Sequence, residues 1–352
     1  MEIVTQNAQP MKGSLLEEVK AFLLEQGLVF EGIPEFSTVL RNDDYTIIGA
    51  GSLDGNVLKY IAVEKSHQGE GLLAQILTSL VTQAFSKGLR NLFVFTKPQN
   101  KALFIPFGFY PLEETSSVLL MENRKNGISG YVSALKKATD EAVLGRGLSM
   151  QGDVGTIVVN CNPFTRGHRY LLESSAAQCS LLHVFVVSSD KSAFPTDVRL
   201  SLVRQGVADI PNIVVHEASD YLVSVATFPS YFLKEQQSAG HLNSELDIAI
   251  FLHYIAPALG ITCRFVGTEP LCMTTAAYNR QMQKMLEAKG VRFVEVERLQ
   301  AGEQPISASR VRALMGLKEF AELEALVPAS TYAFIMSEQG QAIASQLAIK
   351  KV

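Results

Sequence analysis

The segment from Asn160 to Leu172 contains the residues whose types and spacing best suit chemistry. It follows Ile157-Val158-Val159, an apolar β-branched run that predicts a buried strand. It continues through a Gly167-His168 step that predicts the start of a helix. Free backbone N–H groups and the helix dipole at such a start bind anions, and His168 adds a side-chain donor. The segment therefore predicts a site for the α-phosphate of a nucleotide.

A second run with phosphate-binding chemistry, Pro305 to Arg312, follows the last predicted strand. Ser307 and Ser309 are placed to cap a helix or to donate to a ligand, and Arg310 offers a bidentate guanidinium fork. The two runs lie about 140 residues apart, at the two ends of one predicted domain. Together they predict a triphosphate site in which the second run binds the leaving pyrophosphate.

Polar groups also follow two other predicted strands. Lys191 comes after the second strand of this domain and would reach substrate or phosphate. Gly267, Thr268 and Glu269 follow a later strand, at the position expected for adenine and ribose contacts. For Lys191 and Glu269, a solvated surface position is the open alternative.

The length favours two folded domains, because 352 residues exceed the roughly 100–200 residues of one domain. The apolar content of 47% is enough for two large cores, and an enzyme is the expected class. A net charge of −4 gives no electrostatic case for nucleic-acid binding. The four cysteines lack the paired short spacing of zinc sites or disulfide frameworks, so no protein-built metal site is expected. The first residues lack a signal-peptide pattern, and no apolar run reaches the ~20 residues of a membrane span. A cytoplasmic location without membrane contact is the expectation.

Strand and helix patterns alternate from Gly152 onward, which predicts βαβ units and a doubly wound parallel sheet with ligands beyond the carboxyl ends of its strands. The predicted strands are Thr156–Asn160, Leu181–Val187, Ile213–His216, Thr262–Val266 and Arg292–Val296. The predicted helices follow Gly167 and cover Asp197–Ile210, Leu246–Leu259 and Ala276–Lys289.

The first part of the chain mixes short strands and helices, which predicts a separate α/β domain. The predicted boundaries are 1–124 for this domain, 125–150 for a linker helix with a glycine-rich joint, and 151–352 for the nucleotide-binding domain. Predicted strands are Ser37–Leu40, Tyr45–Ala50, Leu58–Val63, Asn91–Thr96 and Ser116–Met121, and predicted helices are Leu15–Gln26 and Gly71–Lys87.

The two phosphate runs resemble paired motifs of the nucleotidyltransferase superfamily. Thr165-Arg166-Gly167-His168 is similar to its (His/Thr)-x-Gly-His motif, and Ile306 to Arg312 is similar to its Ile-Ser-x-(Ser/Thr)-x-x-(Arg) signature. The resemblance implies a Rossmann-like second domain that binds ATP. The residues it assigns to ATP are Asn160, Asn162, Phe164, Thr165, Gly167, His168, Gly267, Thr268, Glu269, Ile306, Ser307, Ser309 and Arg310.

Within the superfamily, the sequences of five segments resemble those of the citrate lyase ligases. The segments are Asn160 to Leu171, Ser188 to Pro195, Asp220 to Ser224, Ala226 to Lys234 and Ala276 to Asn279. The resemblance implies that Mg²⁺ and ATP activate acetate as acetyl-adenylate with release of pyrophosphate. The acetyl group then passes to the prosthetic-group thiol of the citrate lyase acyl-carrier (gamma) subunit, which releases AMP. The resemblance implies catalytic roles for His168 and Lys191 at the α-phosphate and for Arg310 at the pyrophosphate.

The segment Val63 to Leu73 resembles the pyrophosphate loop of the N-acetyltransferases of the GNAT family, which implies a GNAT-like mixed sheet. Backbone N–H groups at Gln68, Gly69 and Gly71 would hold a phosphopantetheine-type arm. The sequence departs from the pattern at Leu73, where the family has Gly or Ala, and at Phe104, where many members have a tyrosine acid. A docking or purely structural role is the open alternative for this domain.

Two other functions remain as alternatives at this point. One is another nucleotidyltransferase, such as a relative of pantetheine-phosphate adenylyltransferase, whose product would keep the nucleotide. The other is an active N-acetyltransferase with a nucleotide-sensing domain, which the Phe104 departure disfavours.

Overall fold

The structure, a computed structural model, divides into two compact units, one ending at Ile128 and the other beginning at Ser129. Lys191, Glu269 and the 226–234 segment lie outside the described residues. The structure describes residues 2–30, 32–149, 151–188, 192–224, 240–268, 273–302 and 304–349, with backbone alone at 240–244 and 273–274.

The first unit is built on a seven-stranded mixed sheet with the strand order β1-β2-β3-β4-β5-β7-β6. The β4–β5 pair is parallel and the other pairs are antiparallel. This topology confirms the expected GNAT-like mixed sheet with helices. The strands are β1 Val4–Ala8, β2 Phe36–Arg41, β3 Ile47–Asp54, β4 Val57–Val63, β5 Phe93–Thr96, β6 Tyr110–Glu114 and β7 Leu119–Glu122, and the helices are α1 Gly13–Glu25, α2 Leu72–Ser86 and α3 Lys101–Phe104.

The sheet of the first unit is buried on both faces because its strands alternate between two apolar cores. On β2, Leu40 packs in the core under α2, whereas Val39 packs in the core under α1. Period-two alternation of this kind fixes the register of a strand, since a slip of one residue would exchange the two faces.

The helix α4, Gly127–Arg146, falls in the predicted linker, and its residues from Ser129 onward lie in the second unit. The Tyr131 hydroxyl donates to the carbonyl oxygens of Glu217 and Ala218, at 2.9 Å each. Arg146 donates to the carbonyl oxygen of Ile213 at 2.6 Å. The helix therefore connects the two units and is hydrogen-bonded into the second.

The second unit contains a five-stranded sheet with the order β10-β9-β8-β11-β12, and every pair in it is parallel. This confirms the predicted doubly wound parallel sheet, and the structure shows that β8 lies at its centre. The strands are β8 Val154–Val159, β9 Leu181–Val186, β10 Ile213–Glu217, β11 Cys263–Gly267 and β12 Arg292–Val296, and a short hairpin adds β13 Gln300–Ala301 and β14 Gln304–Pro305.

Helices cover the parallel sheet and extend beyond the last strand. They are α5 Arg166–Ala176, α6 Thr196–Gly206, α7 Gly240–Ile250, a π-helical turn Phe251–Ile255, α8 Ala256–Leu259, α9 Met273–Glu287, α10 Ala308–Leu317, α11 Ala329–Met336 and α12 Glu338–Ile349. One face of the sheet packs in a single apolar core with α5, α6 and α10 to α12. No helix of the described ranges is both long and apolar enough to cross a bilayer.

The opposite face of the sheet carries a buried pair of histidines, His183 on β9 and His216 on β10. Their rings stack, and Nδ1 of His183 lies 3.0 Å from Nε2 of His216. Burial lowers the pKa of both imidazoles, because it disfavours the charged form, and His216 lowers that of His183 further. The pair is therefore neutral in the folded protein at physiological pH.

Candidate active site

The predicted phosphate loop joins β8 to α5 at the carboxyl end of the central strand. Cys161 is buried and adopts a left-handed backbone with φ of 50°, which is unusual for a residue with a side chain. The Asn162–Pro163 peptide bond is cis. Phe164 follows as a fully buried anchor in the apolar core. Phe164 thus fixes the loop to the core, and the next residue, Thr165, begins α5 as its N-cap.

Thr165 and His168 close the first turn of α5 as a reciprocal capping box. The Thr165 Oγ1 accepts from the backbone N–H of His168 at 3.2 Å, and the backbone N–H of Thr165 donates to Nδ1 of the His168 ring at 3.1 Å. Because Nδ1 accepts, the Thr165 hydroxyl, at 2.9 Å, also donates to it. The neutral imidazole therefore carries its proton on Nε2.

His168 is neutral as well as oriented. Burial, with the positive charge of Arg298 as a second cause, lowers the pKa of His168 to about 4. At pH 7 the ring is an uncharged donor that presents Nε2–H from the half-buried first turn of α5. Such a donor stabilises charge that develops on a phosphate oxygen, and it does so without moving a proton.

The second predicted phosphate run, Pro305 to Arg312, lies against the first at Gly167. A Cβ atom at Gly167 would be 3.0 Å from the carbonyl oxygen of Ile306, so only glycine fits there without displacing the backbone. Ser307 caps α10, since its Oγ accepts from the backbone N–H of Arg310 at 3.2 Å. The structure therefore brings the N-termini of α5 and α10 together, as the spacing of the two runs predicts.

An arginine that our sequence analysis did not assign, Arg312, joins the two runs. It donates to the carbonyl oxygen of Asn162 and, at 3.1 Å, to Oγ of Ser309. Its position is the arginine of the Ile-Ser-x-(Ser/Thr)-x-x-(Arg) signature, which is the signal that could have found it. The predicted residue, Arg310, lies 3.8 Å from Glu322, and its role at the pyrophosphate stays a prediction.

Gly267 and Thr268, the described residues of the predicted adenine and ribose site, lie at the end of β11 and close to α5. A Cβ atom at Gly267 would be 3.6 Å from Cδ2 of Leu171. The backbone N–H of Thr268 donates to Val296 at 3.0 Å, and its carbonyl oxygen accepts from Nε of Arg298 at 2.6 Å. The charge of Arg298 also acts on the His168 ring, whose pKa it lowers, and sequence analysis missed this cation.

Two features beneath the loop were also missed. Arg199 of α6 is fully buried and donates to the ends of β8 and β9. The ring of Phe164 packs directly against Gly206, the last residue of α6. A Cβ atom at Gly206 would lie 2.2 Å from Cε1 of that ring. Neither leaves a motif in the sequence, since Arg199 binds several backbone carbonyl groups and Gly206 contacts a core side chain.

The first unit has its own candidate site in the loop between β4 and α2. Strand β4 pairs with β5 only at Val57 and Leu58, although β4 continues to Val63. Gly69 and Gly71 have φ of 91° and 81°, and a Cβ atom at either would meet nothing within 4 Å. The loop is therefore open at the N-terminus of α2, as an anion-binding backbone requires.

A likeness to the crystal structure of Escherichia coli ElaA covers 35% of this chain and 100% of that one, at 15% identity and a TM-score of 0.30, a score too low to support any inference.

The similarity to curated relatives spans nearly the whole chain. The family model described as citrate lyase ligase C-terminal domain matches residues 154–335. The [citrate [pro-3S]-lyase] ligase of Escherichia coli (strain K12) is 43% identical over 92% of this chain and 90% of its own length. The protein of the same name from Klebsiella pneumoniae is 41% identical over 96% and 97%. The chain belongs to the citrate lyase ligase family.

Proposed function

We propose that this protein activates acetate with ATP as acetyl-adenylate and transfers the acetyl group to the prosthetic-group thiol of the citrate lyase acyl-carrier subunit. The name of the relatives supports the ligase activity and the protein acted upon. The observation that carries the proposal is the locked Nε2–H of His168 beside the second phosphate run. Because ATP is a cytoplasmic substrate, the proposal includes a cytoplasmic location.

In the first step a carboxylate oxygen of acetate attacks the α-phosphorus of ATP. A P–O bond to acetate forms, the P–O bond to the β-phosphate breaks, and pyrophosphate leaves. The attacking group is already an anion, so the step needs no general base, and catalysis consists of positioning and charge stabilisation. We assign this role to His168, to the helix N-terminus at Gly167 and to the α10 N-terminus at Ser307 and Ser309, and the capping contacts of both helices support the assignment.

In the second step the thiolate of the prosthetic arm attacks the acetyl carbonyl carbon. A C–S bond forms, the C–O bond to the phosphate breaks, and AMP leaves. The thiol gives up its proton to solvent before or during the attack, and AMP carries away the negative charge. The same donors that bind the α-phosphate then stabilise the departing AMP.

We include Mg²⁺ in the proposal as the partner of ATP. In the parts of the chain that the structure describes, no group of three or more His, Cys, Asp or Glu side chains could hold a metal. Mg²⁺ keeps several waters and commonly binds through substrate phosphates, so ATP itself supplies its ligands here. The arginine-rich surroundings at Arg298, Arg310 and Arg312 suit the phosphates that would carry it.

The test is ATP–pyrophosphate exchange by the purified protein. We expect exchange that depends on added acetate, because acetate is the nucleophile at the α-phosphorus. Exchange without acetate would instead indicate another nucleotidyltransferase, and acetyl transfer from acetyl-coenzyme A without ATP would indicate an N-acetyltransferase. Either result would overturn the proposal.

We also propose that Gln68, Gly69 and Gly71 hold the phosphate end of the prosthetic arm. Titration of the full-length protein with dephospho-coenzyme A tests this. Gly71→Asn should weaken binding roughly tenfold, because asparagine tolerates the left-handed backbone but fills the cradle. The matched control is Gly88→Asn, which makes the same change at φ of 79° after α2 and should bind normally. No binding by the unmodified protein at millimolar ligand would contradict the proposal.

A further inference from the structure

Arg199 lies beneath the phosphate loop and ties together three segments of the second unit. Its guanidinium donates to the carbonyl oxygens of Asn160 at 2.9 Å, of Val187 and, through Nε, of Phe194 at 3.0 Å. It also donates to the side chain of Thr196 at 2.9 Å. The side chain is completely buried, so this cation serves the carboxyl ends of β8 and β9 and not the solvent.

The same guanidinium determines how the Asn160 side chain is oriented. NH1 of Arg199 lies 3.1 Å from one terminal atom of the Asn160 amide, and the hydroxyl of Ser192 lies 3.3 Å from the same atom. A guanidinium donates and never accepts, so the atom that faces it must be the carbonyl oxygen Oδ1. The NH₂ group therefore points away from Arg199 and Ser192.

The Asn160 NH₂ group makes no hydrogen bond to any residue that the structure describes, although its two donors lie in the loop that ends at Thr165 and His168. Asn160 is half-buried, and its amide nitrogen is not among the fully buried polar atoms that lack a partner. Two oriented donors in the loop that leads into α5 suit anionic oxygens, and an oxygen acceptor in that position would repel them.

We propose that Arg199 is a positioning residue: with Ser192 it holds Oδ1 of Asn160, and thereby presents the Asn160 NH₂ group to the phosphate oxygens of ATP. This rests on the proposed function for the identity of the reaction. It adds a requirement that sequence motifs do not express, namely that the orientation of one amide depends on a helix 39 positions farther along the chain.

The first variant, Asn160→Asp, separates the two edges of the amide. Aspartate keeps an acceptor for Arg199 and Ser192 but replaces the NH₂ donor with an anionic oxygen. We expect the Kd for ATP, measured by calorimetry, to rise roughly 10- to 100-fold, whereas the melting temperature stays at or above that of the unmodified protein. Asn160→Ala, which loses the donor without adding repulsion, should raise the Kd less.

A double-mutant cycle tests whether Arg199 acts through Asn160. Lysine keeps the charge of Arg199 but lacks the fork that reaches several carbonyl oxygens. Arg199→Lys should weaken ATP binding roughly tenfold in the normal background and hardly at all when Asn160 is already alanine. Its effect on melting temperature should persist in both backgrounds, since the other carbonyl partners remain. Arg204→Lys, on the exposed side of the same helix, is the matched control and should bind ATP normally.

The outcomes separate this inference from the proposed function. If the unmodified protein binds ATP but shows no acetate-dependent exchange, the proposed function fails and the Kd values still decide the role of Arg199. If Asn160→Asp binds ATP within about twofold of normal, or if Arg199→Lys weakens binding equally in both backgrounds, the positioning role is wrong. Failure of the unmodified protein to bind ATP would overturn both.

Discussion

Replacing His168 with asparagine is expected to lower acetate-dependent ATP–pyrophosphate exchange about 100- to 1,000-fold, the scale on which a single preorganised charge stabiliser acts. Asparagine places an acceptor near the position of Nδ1, so the contact with the Thr165 backbone N–H can persist. It has no donor at the position of Nε2. Exchange rates at saturating ATP and acetate, together with the melting temperature, provide the measurement.

The matched variant is His168→Gln, whose amide NH₂ reaches the Nε2 position, and glutamine is the usual third-position partner that accepts from the N–H of a threonine N-cap. We expect it to retain more exchange than His168→Asn, with a melting temperature close to that of the unmodified protein. The opposite ranking, with asparagine the more active variant, would show that the Nε2 donor is not what the reaction needs.

The neutral state of His168 adds a signature in pH. Because its pKa is lowered to about 4, the ring stays uncharged throughout the range where an ordinary histidine titrates. Its Nε2–H donor is therefore present on both sides of neutral pH, and exchange by the normal protein should show no loss attributable to His168 near pH 6.5.

Gly206→Ala is expected to have the largest effect on folding among the positions that support the site. Alanine favours a helix over glycine by up to about 1 kcal/mol, which alone would stabilise α6. The new Cβ atom would lie 2.2 Å from Cε1 of Phe164, a ring that is completely buried and has nowhere to move. We expect a net loss of about 1–3 kcal/mol in the free energy of unfolding, measured by denaturant titration.

Because Phe164 directly precedes Thr165, the displaced ring should also weaken ATP binding. Gly145→Ala is the matched control, since Gly145 lies in helix α4 and a Cβ atom there meets nothing within 4 Å. That substitution should be neutral or stabilising by up to about 1 kcal/mol. Equal effects at the two positions would show that helix propensity, and not contact with Phe164, decides the outcome.

Elements whose pattern is local were predictable from the sequence. The strand Arg292–Val296 has the predicted bounds, β9 ends one residue earlier than predicted, and β11 is displaced by one residue at both ends. Burial of a parallel sheet on both faces produces continuous apolar runs, which are easy to recognise. The two phosphate runs were predictable for a similar reason, because each is a contiguous loop and helix start.

Elements that depend on distant partners were not predictable. The strands β1 and β6 were missed because β1 is mostly exposed polar sequence and β6 begins at exposed Tyr110 and Pro111. Arg199 was missed because three of its contacts are with backbone carbonyl oxygens, which every residue has. Arg312 holds the arginine position of the signature, but its contact with the carbonyl oxygen of Asn162 joins residues 150 positions apart, so the contact itself was not predictable.

The stacked histidines on the far face of the parallel sheet link proton uptake to unfolding. Below about pH 6.5 an unfolded chain binds a proton at His183 and another at His216, whereas burial keeps both rings neutral in the folded chain. Each therefore removes up to about 1.4 kcal/mol of stability per pH unit of acidification, until its lowered folded-state pKa is reached. His168 adds to the same slope down to about pH 4. Acid would thus inactivate this protein through loss of its fold before it protonates the His168 ring, on which the chemistry depends.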